Sequence, residues 1–326
     1  VEIWAKASIG DYLWIHILNA QKPKGKFRKL GSHSYGLLNF IYRGGPGFIQ
    51  TTVPQDVEYL VIVLNGRTQN DVKKSKLWID YLPRLEKLKK TAIMLLGNEQ
   101  CDNDWIKPYM RSNGGLVDVL FLVYDSPVVN NNDVYQWPLG VATYRNFPLL
   151  EETSVNIANN RTYKCNFVGT IYENSTREVM IDSLSKYKGQ CFVDVRYKWL
   201  PMETEHSLKR YLSTLMKSDL TLSPVGKNPE CYRIYEALSC GSVPIIEDKI
   251  MTGSCSSPFR LLKEYKAPVI FINKWEELIP ILTSEHKRPF FEIVGRRKKV
   301  ISWYTHFRST MARLFAKTIR KKFFED

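Results

Sequence analysis

Short apolar runs alternate with longer amphipathic stretches along the first half of the chain. Residues 59–64 form an uninterrupted apolar run that Asn65 and Gly66 end, a pattern that predicts a buried strand. Further strands are predicted at 91–96 and 117–124, and helices at 76–90 and 104–111. The first helix is predicted from the helical spacing of Leu77, Tyr81, Leu85 and Leu88. Such alternation of strands and helices is typical of a parallel α/β sheet.

Turn-forming residues interrupt this pattern at 130–133, 136–138 and 146–148, and the polar, Asn-rich stretch 151–161 is predicted to link two domains. A second α/β series follows it. Strands are predicted at 165–171, 191–195, 219–222, 243–246 and 268–272, and helices at 176–186, 203–217, 229–240 and 274–283. A long amphipathic helix at 290–324 ends the series.

The pattern therefore predicts an α/β protein of two Rossmann-like domains, at 1–155 and 156–290, followed by a C-terminal helix at 291–326. We expect the helix to pack across both domains, because its apolar residues recur at helical spacing. The alternative is that its basic face binds a membrane surface. Ligands of such folds bind outside the carboxyl ends of parallel strands, so a cleft between the domains is the expected site.

The segment 222–248 carries the most informative local pattern. A strand ends at Leu222 and a loop follows, in which Asn228 is predicted to cap a helix whose first residue is Pro229. Gly241 is predicted to end that helix in the left-handed conformation. A helix that begins after a strand presents free N–H groups and its positive dipole end, which suits an anion.

Two charged residues on this helix point to a nucleotide. Arg233 can bind phosphate with two parallel hydrogen bonds, and the carboxylate of Glu236 can accept bonds from the hydroxyls of a ribose. Gly226 and Lys227 lie in the preceding loop, where Lys227 can contact either a nucleotide phosphate or a phosphodiester of a second ligand. The alternative is a capped surface helix with an ordinary Arg–Glu pair.

The combination of Gly226, Arg233, Glu236-Ala237-Leu238, Gly241 and Pro244 resembles the nucleotide-binding helix of GT-B glycosyltransferases, and more specifically of the exostosin-type family. The segments 4–16, 45–48 and 136–141 are also similar to members of that family. The resemblance implies a GT-B fold, in which two Rossmann-like domains face a cleft. It assigns Glu236 to the uridine ribose, Arg233 to the diphosphate and Gly226 to a close approach of the loop to the donor.

The resemblance also implies an activity and a location. It implies transfer of xylose from UDP-xylose, with inversion, to a ribitol 5-phosphate unit of the phosphorylated O-mannosyl glycan on the glycoprotein α-dystroglycan. The enzyme would be a type II membrane protein of the Golgi lumen, with its signal-anchor ahead of residue 1, and can form complexes with other enzymes of the glycan pathway. Retaining members often carry a second Glu eight positions before the ribose-binding one; Asn228 stands there, which argues against retention.

An inverting transfer needs a general base that takes the proton of the acceptor hydroxyl. Glu99 and Asp125 follow predicted strands of the N-terminal domain, and His33 lies in a Gly/Ser-rich loop. These three residues are the candidate bases. For the two carboxylates, a helix cap or a loop contact is the structural alternative.

A divalent metal is a separate question. Asp102-Asn103-Asp104 has the form of the DxD motif that holds a metal on the sugar nucleotide in GT-A enzymes. The simpler interpretation is that Asp102 or Asp104 caps a helix that begins at Trp105. We therefore expect no tightly bound cofactor and leave a metal open. Asp248 and the loop 252–257 follow the predicted strand 243–246 and are further candidates at the donor edge.

Charge and cysteine content narrow the partners. The 326 residues include 47 Lys and Arg against 33 Asp and Glu, a net charge of +14 that favours polyanionic partners. Basic residues are not interleaved with the aromatics of an RNA-binding motif and no zinc-finger spacing occurs, so we expect no nucleic-acid partner. Six cysteines with no Cys-x-x-Cys, together with sequons at Asn160 and Asn174, favour a secretory lumen.

Two other functions remain compatible with the sequence. One is an exostosin-like transferase that uses another UDP-sugar, glucuronic acid or N-acetylglucosamine, on an anionic glycan. The other is a non-catalytic basic module that binds glycan. A UDP-sugar that raises the melting temperature would argue against the second, because a ligand selective for the native state stabilises it.

Overall fold

A computed structural model describes residues 1–25, 28–45, 53–187, 190–198, 200, 204–249, 253 and 255–325. The chain divides into two compact units. Unit 1 comprises Val1–Leu139, Thr252–Ser257 and Arg308–Asp326, and unit 2 comprises Gly140–Met251 and Pro258–Phe307. Unit 1 is therefore assembled from three separate stretches of sequence.

The described part of unit 1 contains a mixed sheet of seven strands. They are β1 (Glu2–Ala5), β2 (Lys29–Tyr35), β3 (Leu38–Gly44), β4 (Tyr59–Asn65), β5 (Lys90–Leu96), β6 (Val119–Val123) and β7 (Val134–Trp137). Their order is β2-β3-β1-β4-β5-β6-β7, and all pairs are parallel except the antiparallel hairpin β2–β3. The central strands β4, β5 and β6 are almost entirely buried, as their continuous apolar sequences predict.

Helices flank this sheet on short connections. Helix α1 (Ile9–Asp11) continues as π-helix over Tyr12–Ile17, and α2 (Gln69–Ile79) connects β4 to β5. The helix predicted at 76–90 is wrong in its bounds: the side chain of Thr68 caps α2 by accepting the amide of Asp71, and Pro83 belongs to a separate 3₁₀ turn. Leu77, predicted on the buried face, is 57% exposed.

The described part of unit 2 contains a fully parallel sheet. Its strands are β8 (Tyr163–Thr170), β9 (Cys191–Arg196), β10 (Ser218–Ser223), β11 (Val243–Glu247) and β12 (Ile270–Ile272), in the order β12-β11-β10-β8-β9. Helices α3 (Thr176–Ser185), α4 (Glu205–Met216), α5 (Tyr232–Ser239), α6 (Arg260–Glu264) and α7 (Leu278–His286) connect them. The prediction of two Rossmann-like α/β sheets is confirmed.

The chain ends in the long helix α8 (Phe290–Phe324), which the sequence also predicts. Residues up to Phe307 belong to unit 2 and those from Arg308 to unit 1. In unit 1 the ring of Phe315 packs against Phe40, Phe121 and Trp137, at centroid distances of 5.7, 5.3 and 6.0 Å. The distal part of the helix is thus a component of that unit's core. No helix in the described ranges combines the length and apolarity needed to span a membrane.

Two further differences from the predicted elements concern short strands. Gln136 and Trp137, interpreted as a break in the pattern, lie in β7, which pairs with β6 at the edge of the sheet. Strands β1, β2 and β3 were not predicted, although β1 pairs with both β3 and β4. Each of these strands is short or half polar, so no apolar run or strict alternation marks it.

Two disulfides tie the units internally. Cys101 is bonded to Cys255 within unit 1, and Cys165 to Cys191 in the adjacent strands β8 and β9 of unit 2. Cys231 and Cys240 are unbonded. Since the segment around Cys255 lies in the connection between β11 and α6, the first disulfide holds a distant part of the sequence on unit 1.

Candidate functional site

Helix α5 lies at the carboxyl edge of the unit 2 sheet, immediately after the loop that follows β10. Its end is as predicted: Gly241 has φ +67°, its amide donates to Leu238 O, and the amide of Ser242 donates to Ala237 O. Its start is not as predicted. The side chain of Asn228 accepts the amide of Glu230, at 2.8 Å, which forms a separate turn, and the helix begins at Tyr232 with Cys231 at the cap position.

Glu236 is buried within unit 2, with 4% of its surface exposed. One carboxylate oxygen accepts the amide of Ala142 at 3.0 Å and the other accepts the hydroxyl of Tyr211 at 2.7 Å. Burial raises the pKa of this carboxyl, and the bonds from Tyr211 and Ala142 and the charge of Arg233 oppose that rise. Each carboxylate oxygen can accept a second hydrogen bond, so two donors of a ligand can still be accommodated.

Arg233 is the second residue of α5, and its side chain returns to strand β8. Its Nη2 donates to the carbonyl oxygen of Val168 at 2.9 Å, and the guanidinium lies over the ring of Phe167, 4.9 Å from the centroid. A Cβ on Gly169 would lie 2.6 Å from that Nη2. The glycine therefore leaves the space that the guanidinium occupies.

A second arginine converges on the same place. Arg177 is the second residue of α3; its Nη1 donates to the carbonyl of Thr170, the last residue of β8, and its Nε donates to the carbonyl of Val225 at 3.3 Å. A Cβ on Gly226 would lie 2.9 Å from Arg177 Nη2. Burial, followed by the charge of Arg233, lowers the pKa of Arg177 to about 10. The two guanidinium groups thus repel each other in a largely desolvated place.

These two arginines form the strongest candidate anion site in the chain. In the described residues, neither guanidinium has a carboxylate within ion-pair distance, and both bond to backbone carbonyls instead. Each stands in the first turn of a helix, where the dipole disfavours a cation. Two cations that lie near the amino ends of helices without a direct ion pair become more favourable when an anion such as a diphosphate binds between them.

Arg177 was not among the residues singled out from the sequence. A signal was present, because the predicted strand at 165–171 and helix at 176–186 put Arg177 in the first turn of a helix that follows a strand, as Arg233 is in α5. Of the other predicted donor residues, Gly226 is half-buried beside Arg177, Lys227 is exposed and Asn228 is buried in its turn.

Among the candidate bases, Glu99 lies after β5 at the carboxyl edge of the unit 1 sheet. Its Oε1 is 3.1 Å from Nη2 of Arg67, and 29% of its side chain is exposed. The preceding Asn98 donates its side-chain amide to the carbonyl of Arg67 at 3.0 Å. The carboxylate is therefore both accessible to solute and held by a positive charge.

Asp125 lies after β6 at the same edge but is nearly inaccessible, with 3% exposed. Its Oδ2 accepts the amide and hydroxyl of Ser256, at 2.8 and 3.0 Å, and the amide of Ser257, at 2.5 Å. These bonds hold the segment that carries Cys255. The geometry favours an anchoring role for Asp125 over that of a base.

His33 lies on another part of the sheet. It is inside β2, not in a loop, and its ring packs edge-on against Trp14 at a centroid distance of 5.9 Å. Strand β2 is four positions from β5, which corresponds to about 19 Å across the sheet. The structure therefore does not bring His33 together with Glu99.

The DxD-like motif has a simple structural environment. Asp102 and Asp104 are exposed, and Asp104 forms an ion pair with Lys107 at 2.8 Å. Asn103 occupies the cap position of the 3₁₀ helix Asp104–Tyr109, so the prediction that either aspartate caps it is wrong. Searched over the described residues, no group of three His, Cys, Asp or Glu side chains is arranged to hold a metal ion.

The remaining predicted positions are placed as follows. Both sequon asparagines, Asn160 and Asn174, are exposed. Asp248 forms an ion pair with Lys263, at 2.8 Å. Ser256 and Ser257 bond to Asp125, and Cys255 is bonded to Cys101, so this segment belongs to unit 1 and not to the unit 2 sheet edge. The family-like residues 46–48 and part of the loop 252–257 lie outside the described residues.

Two family models together match almost the whole chain. Residues 1–138 match the family model described as the RXYLT1 N-terminal domain, and residues 144–324 match the RXYLT1 C-terminal domain. Among solved structures, the chain is similar to the catalytic domain of starch synthase IV from Arabidopsis thaliana, bound to ADP and acarbose. The superposition covers 91% of this chain and 86% of the starch synthase chain. The two are 9% identical, with a TM-score of 0.43.

Curated relatives are much more similar. Ribitol-5-phosphate xylosyltransferase 1 of Danio rerio is 45% identical over 100% of this chain and 78% of its own length. The proteins of the same name from Homo sapiens and Mus musculus are each 43% identical over 99% of this chain and 76% of their own length. With both family models matched and this identity sustained along the whole chain, the protein belongs to the ribitol-5-phosphate xylosyltransferase family of glycosyltransferases.

Proposed function

We propose that this protein transfers xylose from UDP-xylose to a ribitol 5-phosphate unit, with inversion at the anomeric carbon. The observation that carries the donor part of the proposal is the convergence of Arg177 and Arg233 on the end of β8, with no carboxylate at ion-pair distance among the described residues. They bind the carbonyls of Thr170 and Val168, which belong to the same strand. Each guanidinium can donate hydrogen bonds to oxygens of the diphosphate of a UDP-sugar.

The family relatives supply the acceptor and sugar of the proposal, since their names state xylose transfer to ribitol 5-phosphate. In the reaction, the acceptor hydroxyl oxygen forms a bond to C1 of xylose while the bond from C1 to the phosphate oxygen breaks. UDP leaves with the electron pair and the proton goes to a base. The arginines stabilise the charge that develops on the leaving diphosphate, a contribution that needs no metal ion in the site.

Glu236 is proposed to bind the uridine ribose. Each of its carboxylate oxygens would accept a second hydrogen bond, from a hydroxyl of the ribose. Its bonds to Ala142 and Tyr211 fix the carboxylate in one orientation, which reduces the cost of binding the hydroxyls. Glu99 is the preferred base among the three candidates, because Asp125 anchors a segment and His33 packs against Trp14. We infer no resident cofactor for this reaction, with UDP-xylose as the donor substrate.

The proposed compartment is the Golgi lumen, and the proposed natural acceptor is the phosphorylated O-mannosyl glycan of α-dystroglycan. Two disulfides and two exposed sequons support an oxidising, glycosylating compartment. Attachment as a type II membrane protein and complexes with other glycan-pathway enzymes remain predictions. Mass analysis after enzymatic removal of N-glycans from secreted protein tests this part directly, with Asn160→Gln and Asn174→Gln as site-specific controls.

The experiment for the activity measures UDP release with ribitol 5-phosphate and a panel of UDP-sugars. Arg177→Ala and Arg233→Ala are each expected to lower kcat/KM about 10- to 100-fold and to abolish the rise in melting temperature that UDP produces. Arg210→Ala is the matched control, because Arg210 is exposed and paired with Asp194 in the same unit. Turnover with another UDP-sugar but not UDP-xylose, or variants with wild-type rates, would refute the assignment.

A further inference from the structure

A cluster of polar side chains outside the donor site lies where three neighbouring strands of unit 1 end. Strands β4, β5 and β6 are parallel and end at Asn65, Leu96 and Val123. Arg67, Glu99 and Tyr124 follow them. Nη2 of Arg67 lies 3.1 Å from Glu99 Oε1 and donates to the hydroxyl of Tyr124 at 3.0 Å. The carboxyl edge of such a sheet is where ligands of α/β proteins bind.

The position of Arg67 is fixed by its backbone. Its amide donates to the side-chain oxygen of Asn65 at 3.1 Å, and its carbonyl accepts the side-chain amide of Asn98 at 3.0 Å. The loops behind it are closely packed, since a Cβ on Gly97 would lie 2.7 Å from the carbonyl oxygen of Val123. Yet 28% of the Arg67 side chain is exposed, so the guanidinium can be reached from solution.

Two carboxylates, those of Asp125 and Glu99, belong to this edge. Asp125 is buried, and bonds from Ser256 and Ser257 stabilise its negative charge. Glu99 is partly exposed and paired with Arg67, so it competes with an incoming anion for the guanidinium.

We propose that Arg67, which also donates to the hydroxyl of Tyr124, binds the phosphate of the acceptor and so selects phosphorylated over unphosphorylated acceptors. The inference rests on the proposed function, since it assigns the acceptor's phosphate to a place on unit 1. A guanidinium fork matches two phosphate oxygens. Glu99 occupies the guanidinium until the phosphate displaces it.

This arrangement makes two predictions of opposite sign for binding. Arg67→Ala should weaken the binding of ribitol 5-phosphate about 10- to 100-fold and leave the weaker binding of ribitol unchanged. Glu99→Gln should strengthen the binding of ribitol 5-phosphate about 2- to 5-fold, because it removes the competing charge. A purely structural Arg67–Glu99 pair would give loss in both variants.

Isothermal titration of ribitol 5-phosphate and of ribitol against the full chain measures both effects without turnover, so the result does not depend on the proposed donor. Arg111→Ala is the matched control, since Arg111 pairs with Asp118 at the opposite edge of the sheet. Arg67→Lys keeps the charge and loses the fork, and is expected to bind with intermediate affinity; it replaces Arg67→Ala if that variant fails to fold.

Equal binding of the two ligands by the wild-type protein, or unchanged selectivity in both Arg67 variants, would overturn the proposal. Failure of UDP-xylose turnover alone would count only against the proposed reaction.

Discussion

Replacing Asp125 by Asn separates the two roles that its position suggests. The single oxygen Oδ2 accepts three hydrogen bonds from Ser256 and Ser257, and the residue is 3% exposed. Hydrogen bonds to a charged acceptor contribute roughly 1 kcal/mol more than neutral ones. An Asn oxygen at the same place keeps the bonds but not the charge, so we expect Asp125→Asn to lower the free energy of unfolding by about 3 kcal/mol.

Calorimetric or fluorescence-monitored thermal unfolding measures this loss. For a unit of this size, about 3 kcal/mol corresponds to a fall in Tm of about 6–12 °C. Turnover at a temperature well below both transitions should stay within a few-fold of wild type, because an anchoring residue does not take the proton. Asp104→Asn, at an exposed carboxylate of the same unit, should change neither quantity. A variant that melts with the wild type but has lost its activity would show that Asp125 is the base.

Three further outcomes are expected. Because burial raises the pKa of Glu236, its contribution to stability is greatest below the ordinary glutamate pKa and declines as the pH rises through the raised value; the stability of Glu236→Gln relative to wild type, measured by urea unfolding, should therefore increase as the pH rises above the ordinary glutamate pKa. Replacing both cysteines of Cys101–Cys255, which are 154 residues apart, should lower the free energy of unfolding by up to about 5 kcal/mol, because the disulfide closes a long loop. Replacing Cys165 and Cys191, which are 26 residues apart, should lower it by about 3.5 kcal/mol; the reverse order in denaturant unfolding would contradict the loop-entropy argument. Gly169→Ala should displace the guanidinium of Arg233 and weaken UDP binding measured by titration, whereas Gly295→Ala, with no atom within 4 Å of the new methyl, should not.

Much of the fold follows from the hydrophobic pattern, and what it missed has a physical reason. Buried parallel strands such as β4 are continuous apolar runs, which the sequence shows directly. Strand β7 has four residues bordered by Asp133 and Pro138, so its local composition favours a turn, and its pairing with β6 comes from tertiary structure. The hairpin β2–β3 has one exposed face with few apolar residues, and thus no clear signal.

The candidate site was predicted in part. Gly241 was recognised because few residues other than glycine adopt positive φ, whereas Asn228 can accept an amide two residues later in either a helix cap or a turn. The role of Arg177 depends on its bonds to the carbonyls of Thr170, at the end of β8, and of Val225, which is 48 residues away in the sequence. The pairing of the six cysteines depends in the same way on which strands and loops become neighbours.

The discontinuous sequence of unit 1 has a consequence for biosynthesis. Cys101 must remain unpaired, or pair wrongly, until Cys255 has been translated, whereas Cys165 and Cys191 can be joined as soon as their short loop emerges. Phe315, which fills the space against Phe121 and Trp137, is synthesised later still. The unit whose translation begins first is therefore the last to be completed, and until then its nascent form exposes apolar surface that is prone to aggregation.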